Sequence, residues 1–386
     1  MKSELIGNLV GRVKQCNPAN QGIEHIRYLD ISSIDSDTKT ILAPQPIKAV
    51  GAPSRARQQV QTDDILVSTV RPNLNAVAMV SRQFDGDIAS SGFCVLRPAV
   101  ERVCPGYLFY FVQSEGFVAR LARIASGASY PAVGDGDVLE TEILLPSLPE
   151  QRRLAAQLEE ADRLRRTRRY TLELSDSFLP ATFRKLFGSP AEAERQYPVA
   201  DLGDVVRFID YRGIAPNKSP KGVRLATARN VKRGWFEEEP QEFIPADEYE
   251  SWMSRGLPNA GDVLFTTEGH TLGSAAALPA YDKVALGQRL IALQPVQKVT
   301  SAYLLHLILT PSFQDMIDKR STGSAARGIS SKALGEIPIP VPPLDEQQHF
   351  ATLVTQHDRL RATQRESLRQ AEHLFQTLLH RAFSPA

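Results

Sequence analysis

The chain has 386 residues, of which 42% are hydrophobic and 23% charged, with 45 Lys and Arg against 44 Asp and Glu. At roughly 150 residues per domain this is material for two to three domains. A formal charge of +1 excludes a protein that holds nucleic acid or an anionic membrane by bulk charge, so any basic surface must be local.

Three cysteines, Cys16, Cys94 and Cys104, have no C-x-x-C spacing, which points to a reducing compartment and no zinc site. The opening MKSELIGNLVGRVK has no apolar h-region, and the run YLFYFV (107–112) is far too short to span a bilayer. A cytoplasmic protein is expected.

In chain order, residues 1–147 read as a mixed α/β domain. The runs DILVST (64–69), NAVAMV (75–80) and GFCVLRP (92–98) read as strands between turn residues, followed by helix at about 105–125. Residues 148–188 are almost free of Gly and rich in Leu, Ala, Glu, Gln and Arg, which predicts a long helix opening after PSLPEQ. Residues 189–343 are mixed again, with strands at DVLFTT (262–267) and QRLIALQP (288–295) and helix at about 300–320. Residues 344–386 form a second long helix, opening after PVPPLDEQ.

The second half repeats the first. Glu150 and Gln151 recur as Glu346 and Gln347, 196 positions on, and Asp162-Arg163-Leu164-Arg165 recurs as Asp358-Arg359-Leu360-Arg361. Tyr107-Leu108 matches Tyr303-Leu304, and Ser126-Gly127 matches Thr322-Gly323; DILVST matches DVLFTT at an offset of 198, a drift that loop insertions produce. The period is too long for a solenoid and reads as a duplication of a whole domain.

Within the helices Leu158, Arg165, Leu172, Leu179 and Leu186 fall seven apart, and so do Val354, Arg361, Leu368, Phe375 and Ala382. Leu164, Leu360, Phe178 and Leu374 widen the stripe, and two amphipathic helices packed on each other are predicted. The Arg shared by both copies either fixes register or lies exposed at the stripe's edge. Pro180, with Gln376 as its counterpart, should kink or break the first helix.

Duplicated units tend to pair about an approximate two-fold axis. Antiparallel helices of about 50 Å would hold two similar heads apart, a geometry suited to successive major grooves of duplex DNA about 34 Å apart. A two-headed protein–protein scaffold would have the same shape.

The junctions Leu-Pro-Ser-Leu-Pro-Glu-Gln (145–151) and Val-Pro-Pro-Leu-Asp-Glu-Gln (341–347) each follow an apolar strand. Asp-Asp-Ile-Leu-Val-Ser-Thr-Val-Arg-Pro (63–72) and Gly-Asp-Val-Leu-Phe-Thr-Thr (261–267) precede them, as do Gly-Ala-Ser (127–129) and Gly-Ser-Ala (323–325). In these elements, and in their order, the chain resembles the specificity subunit of a type I restriction-modification system over essentially its whole length. Two departures are Gly269-His270 in place of the Arg-Pro of 71–72, and Ser-Leu-Pro in the first junction where Pro-Leu-x is usual.

The resemblance implies an α+β fold of two mixed α/β target-recognition domains (1–147 and 189–343) and two long antiparallel, coiled-coil-like spacer helices (148–188 and 344–386) in a pseudo-two-fold internal repeat. It implies a non-catalytic subunit whose recognition domains each read half of a bipartite DNA target. The helices would set the spacer and dock two methyltransferase subunits through Leu158, Arg165, Leu172, Leu179, Val354, Arg361, Leu368 and Phe375. Motor-nuclease subunits would join for restriction, and S-adenosylmethionine would sit on the methyltransferase partner, with no cofactor on this chain.

The sequence has no Asn-Pro-Pro-Tyr methylase motif, P-loop, H-E-x-x-H or G-x-S-x-G. The GDGD run (134–137) reads as a turn. His373 and His380 lie seven apart without a carboxylate or Cys at metal-site spacing.

Candidate DNA contacts in the first copy are Ser68, Thr69, Arg71, Asn73 and Asn75, with Arg27 and Tyr130; in the second they are Thr266, Thr267, His270 and Arg327. Residues 201–234 carry eight basic residues, among them Arg224 and Arg229, against three acids, while 235–250 carry seven acids and no base. A contact face beside one turned away is expected, with Arg229 and Asn230 suited to guanine and adenine. Near-neutral charge implies weak DNA binding without the partner subunits.

Overall fold

The computed structural model describes residues 2–384 apart from 21, 128, 214, 297 and 324–326. The chain divides into two compact units, Met1–Thr171 with Gln364–Ala386, and Leu172–Thr363. Both divisions fall inside long helices, so each unit joins a mixed α/β body to part of each helix. No helix among the described residues is long and apolar enough to cross a membrane.

The helices that frame the site are α1 (Pro105–Phe111), α2 (Glu115–Ile124), α3 (Leu148–Asp176), α4 (Phe178–Phe187), α5 (Ser301–Ile308), α6 (Pro311–Arg320) and α7 (Leu344–Phe383). The central strands are β1 (Val10–Gly11), β2 (Ile65–Ser68), β3 (Val77–Met79) and β4 (Phe93–Pro98) in the first unit, and β5 (Val206–Asp210), β6 (Val263–Thr266), β7 (Ala275–Ala277) and β8 (Leu290–Pro295) in the second. The first sheet runs β3-β2-β4-β1 and the second β7-β6-β8-β5, all antiparallel. Ser68 pairs with Phe93, and Thr266 with Leu290.

Both central strands are buried throughout, and apolar up to the closing Ser68 or Thr266, because both faces are covered. In β2, Ile65 and Val67 pack under α1 and α2 while Leu66 enters a second core with Phe93 and Val95. In β6, Val263 and Phe265 pack beneath α5 and α6 while Leu264 joins a core with Ala276 and Ala292. Each unit has a further sheet containing one parallel pair, His25–Leu29 with Ile88–Ser90 and Val223–Ala226 with Val284–Leu286. The predicted helices at 105–125 and 300–320 are each two, broken at Ser114 and Thr310, whose hydroxyls cap the second of each pair by accepting from Phe117 N–H and Phe313 N–H.

The repeated Gln closes each body. Gln151 Oε1 accepts from Cys104 N–H at 2.8 Å, and its Nε2 donates to Pro146 O at 2.9 Å and Arg102 O at 3.3 Å. Gln347 Oε1 accepts from Thr300 N–H at 2.8 Å, and its Nε2 donates to Pro342 O at 2.8 Å and Lys298 O at 3.1 Å. Both are buried. Each ties the start of a long helix to the loop that opens α1 or α5. The repeated Tyr does similar work: Tyr107 Oη donates to Leu144 O, and Tyr303 Oη to Pro340 O.

The first long helix breaks at Ser177, and Pro180 is the third residue of α4. Its ring would meet the carbonyl of residue 176 in a continuous helix, and it has no N–H to bond there. With Gln376 at the matching place, α7 runs 40 residues without interruption.

In the first unit Arg165 lies 4.0 Å over the Phe375 ring and Arg169 pairs with Glu372 at 2.8 Å. In the second, His357 Nε2 lies 3.0 Å from Ser175 O, Arg361 pairs with Asp176, and Phe183 packs on Phe350. Leu158, Arg165, Leu179 and Phe375 are buried in this packing, and Leu172, Val354, Arg361 and Leu368 are half-buried. The stripe widens at Phe178, which stacks on His357 at 5.4 Å between ring centres, but not at Leu164, Leu360 and Leu374, which are exposed. Each stands one residue, about 100°, before an inward position.

The two copies use the shared Arg differently. Arg165 Nε donates to the buried carboxylate of Asp162 at 2.6 Å, and Arg166 pairs with the other oxygen. Asp358, the counterpart of Asp162, is exposed, and Arg361 turns to Asp176 instead.

Candidate nucleic-acid interface

The loop after β2 is held by its own polar side chains. Thr69 donates both N–H (3.0 Å) and Oγ1–H (2.9 Å) to Gly92 O; Ser68 Oγ donates to Val70 O; Asn75 Nδ2 donates to Val112 O at 2.8 Å. Arg71 N–H donates to Pro131 O at 2.7 Å, and Val70 and Ser126 both bridge to Ala132. These bonds leave Arg71 and Asn73 exposed. The Arg71 guanidinium lies 4.5 Å from the centre of the Tyr130 ring, and Tyr130 is 67% exposed. Such a stack fixes a long cationic side chain without neutralising it.

Arg71 adopts a left-handed backbone, φ 50° and ψ 58°, which costs a non-glycine residue about 1–2 kcal/mol. Gly269 takes its place in the second unit, at φ 80°, and donates N–H to Arg327 O at 2.9 Å as Arg71 does to Pro131 O. Thr267 repeats Thr69, donating N–H (3.1 Å) and Oγ1–H (3.2 Å) to Arg289 O. Thr266 is fully buried.

The exposed residues around this second loop are Glu268, His270, Arg289 and Arg327. Glu268 pairs with Arg289 at 3.0 Å; Arg327 pairs with Asp318 at 3.3 Å and donates to Ser321 Oγ at 2.6 Å. Of the glycine segments noted in the sequence, Gly127 and Gly323 both have positive φ. Ala128, Ser324 and Ala325 lie outside the described residues.

Other candidates are committed to packing. Arg27 donates to Asp87 Oδ1 at 3.1 Å and covers Phe84. Arg224 is buried against Glu238. Asn230 is fully buried: Oδ1 accepts from Thr227 N–H and Oγ1–H, and Nδ2 donates to Glu237 O at 2.9 Å and Pro240 O at 3.1 Å. Arg229 is exposed but 3.4 Å from Glu242.

The expected separation of basic and acidic faces is overturned, because the acidic stretch folds back onto the basic one. Glu242 takes Lys218 at 2.8 Å as well as Arg229, Glu238 takes Arg224, and Glu248 accepts from Asn217. A β-strand at Glu242–Ile244 paired with Val223–Ala226 brings opposite charges within reach that are far apart in sequence.

GDGD is the start of a short helix, Asp135–Leu139, with Asp137 accepting from Gly134 N–H at 2.7 Å. His373 and His380 border one groove with Phe117, Arg120 and Phe383. No group of three possible metal ligands forms among the described residues.

Lys39 went unnoticed in the sequence. It donates to Asn75 O at 2.6 Å, and burial together with the nearby Arg165 pulls its pKa down to about 8. Because this is below the unfolded value, folding favours the neutral amine. The wild type should therefore gain stability relative to Lys39→Met as pH rises from about 8 toward 10.5, read from unfolding midpoints across that range. A constant difference would show that the ammonium is not held in a desolvated place.

Polar, solvent-facing loops carried on sheets buried on both faces form a surface on which a macromolecule can be recognised. Comparison with known proteins makes the class specific. The family description "Type I restriction modification DNA specificity domain" matches residues 253–373. The MjaVIII type I restriction enzyme specificity subunit of Methanocaldococcus jannaschii is 24% identical over 285 residues, covering 69% of this chain and 66% of that protein. The EcoKI specificity subunit of Escherichia coli K12 is 20% identical over 351 residues, covering 84% of this chain and 75% of the relative. A chain solved in work on complex assembly and conformational transition of the type I R-M system is 27% identical, with a TM-score of 0.64, covering 99% of this chain and 97% of that one. The chain is similar over most of its length to type I restriction-modification specificity subunits.

Proposed function

We propose that each unit reads one half of a bipartite duplex target. The observation that carries this is one loop frame bearing different outward residues. Thr69 and Thr267 anchor the two loops alike, and Arg71 and Gly269 make the same backbone bond, yet the first loop presents Arg71, Asn73 and Tyr130 and the second Glu268, His270 and Arg327. A common frame with unlike side chains suits two half-sites of unlike sequence.

In this reading the recognition domains are 1–147 and 189–343, duplicated and related by a pseudo-two-fold axis, and 148–188 and 344–386 pair as antiparallel, coiled-coil-like spacer helices. The helices dock two methyltransferase subunits, which bring S-adenosylmethionine, and motor-nuclease subunits join for restriction. The inward positions of the stripe set the helix packing, so the docking surface is the outward side, where Leu164, Tyr170, Leu174, Leu360 and Leu374 are exposed. The complex works in the cytoplasm. Arg71 is the residue most committed to reading: it occupies a strained conformation that its glycine counterpart would relieve, and strain kept in place marks a functional position.

The test is a genome-wide methylation map of cells that express the chain with its methyltransferase. The wild type should yield a two-part motif with a fixed gap. Arg71→Gly should relax one half of that motif, with about 1–3 kcal/mol of discrimination lost at one base pair, and should leave the unfolding midpoint unchanged or raised. If the map depends neither on the chain nor on Arg71 while the complex assembles and methylates, the scaffold reading takes the lead.

A further inference from the structure

A second surface of the Leu172–Thr363 unit has the chemistry of a DNA contact. Residues 231–236 form a tight hairpin in which Val231 bridges to Phe236 and Lys232 N–H donates to Trp235 O at 3.0 Å. The buried Asn230 carboxamide and the Glu237 N–H bond to Asn230 O at 2.7 Å close its base. Gly234, at φ 96°, makes the turn and donates N–H to Ala275 O at 2.8 Å. Ala275 is the first residue of β7, directly after the loop that carries His270. The hairpin tip is thus fixed beside the reading loop.

Its side chains differ from their surroundings. Lys218, Arg224, Arg229, Arg289 and Arg327 each face a carboxylate. Lys232 and Arg233 make no ion pair among the described residues, Arg233 is exposed, and Trp235 is 42% exposed. The other tryptophan, Trp252, is spent on Leu286 O and the Tyr211 ring.

The matching hairpin of the first unit, Ile34–Asp35 with Thr40–Ile41, also adjoins its reading loop through Lys39 and Asn75 O. It carries Asp35 and Asp37, and its lysine is turned inward. Acids there disfavour phosphate, so the basic, aromatic tip belongs to the second unit alone.

We propose that the Lys232–Trp235 tip grips the duplex beside the second half-site. Arg233 binds a backbone phosphate, and the Trp235 indole lies against the adjoining deoxyribose. This rests on the DNA-reading function above and adds affinity without sequence information, because phosphate contacts position and do not specify.

The test uses the full chain assembled with its methyltransferase subunits and a duplex containing the methylated motif, with affinity measured across salt concentration. Arg233→Ala should weaken binding and reduce the slope of log affinity against log salt by about 0.9, the signature of one lost phosphate contact. Arg233→Lys should keep the slope. Trp235→Ala should lower affinity about tenfold, as loss of one partly buried aromatic contact does, with the slope unchanged. The recognised motif should be the same in every variant.

Wild-type affinity and slope in both alanine variants would overturn the proposal and leave the reading function standing. So would failure of either variant to assemble with the methyltransferase, which would make the tip a protein contact. A wild-type complex that binds the target no better than an unrelated duplex would overturn the reading function, and this proposal with it.

Discussion

Asp162→Ala should destabilise the first unit by about 3–5 kcal/mol, the cost of removing one partner from a buried ion pair. Asp162 is 4% exposed and takes Arg165 and Arg166 on its two oxygens. Arg165 is itself enclosed, lying over Phe375. Without the carboxylate two guanidinium groups lose their counter-charge, and Arg165 has no route to water that keeps its place on the ring. Adding Arg165→Met should recover much of the loss, because an apolar chain of similar length can cover Phe375 without a partner. Thermal unfolding of the single and double variants decides the matter. A single variant within about 1 kcal/mol of wild type, the range of surface pairs, would mean that the pair contributes as a surface pair does.

The second large effect belongs to the repeated glutamine. Gln347→Ala removes one acceptor and two donors from a fully buried site and strands Thr300 N–H and the carbonyls of Pro342 and Lys298. Each buried group left unpaired costs about 1–3 kcal/mol. A total of about 3 kcal/mol would lower the unfolding midpoint by roughly 6–12 °C for a unit of this size. Gln151→Ala should do the same in the other unit. The separation of the two effects is the informative part: differential scanning calorimetry should show each variant lowering the transition of its own unit with little change in the other. A single transition that moves as a whole would mean that the two units unfold as one.

These two sites also show what could be read without coordinates. Gln151 and Gln347 stand out in the sequence because they recur 196 residues apart, but recurrence does not say what a residue touches. Their role appears only when the loop before α1 or α5 closes over the start of a long helix. The shared Arg is a sharper case. Two copies of Asp-Arg-Leu-Arg are identical in sequence, yet Arg165 uses the Asp three residues earlier while Arg361 uses Asp176. Short-range sequence cannot choose between those partners, because the choice depends on which helix face is already covered.

The candidate interface was partly legible for the same reason. Arg71 and His270, polar residues after a strand, and Tyr130, after the Gly-Ser/Thr element, lie on the surface. Thr266, at the matching strand end, and Arg224 and Asn230, from the basic stretch, are buried. In isolation, a polar residue of a loop reads the same whether it faces water or holds its own loop together. The Lys232–Trp235 hairpin was hidden within a basic stretch whose other members are paired with acids that the sequence placed on a separate face.

The sequence by itself determined the elements that depend on local pattern. Apolar runs bounded by turn residues became β2, β4, β6 and β8, Gly-poor stretches became the long helices, Pro180 broke one of them, and the order of these elements carried the resemblance to a known family. Only the tertiary structure decided which charges remain free. Strand pairing, such as that of Glu242–Ile244 with Val223–Ala226, brings together carboxylates and cations that are distant along the chain. Whether a polar side chain is available to a partner depends on those long-range neighbours, because a buried or paired group has already exchanged water for protein and offers fewer free donors and less net charge.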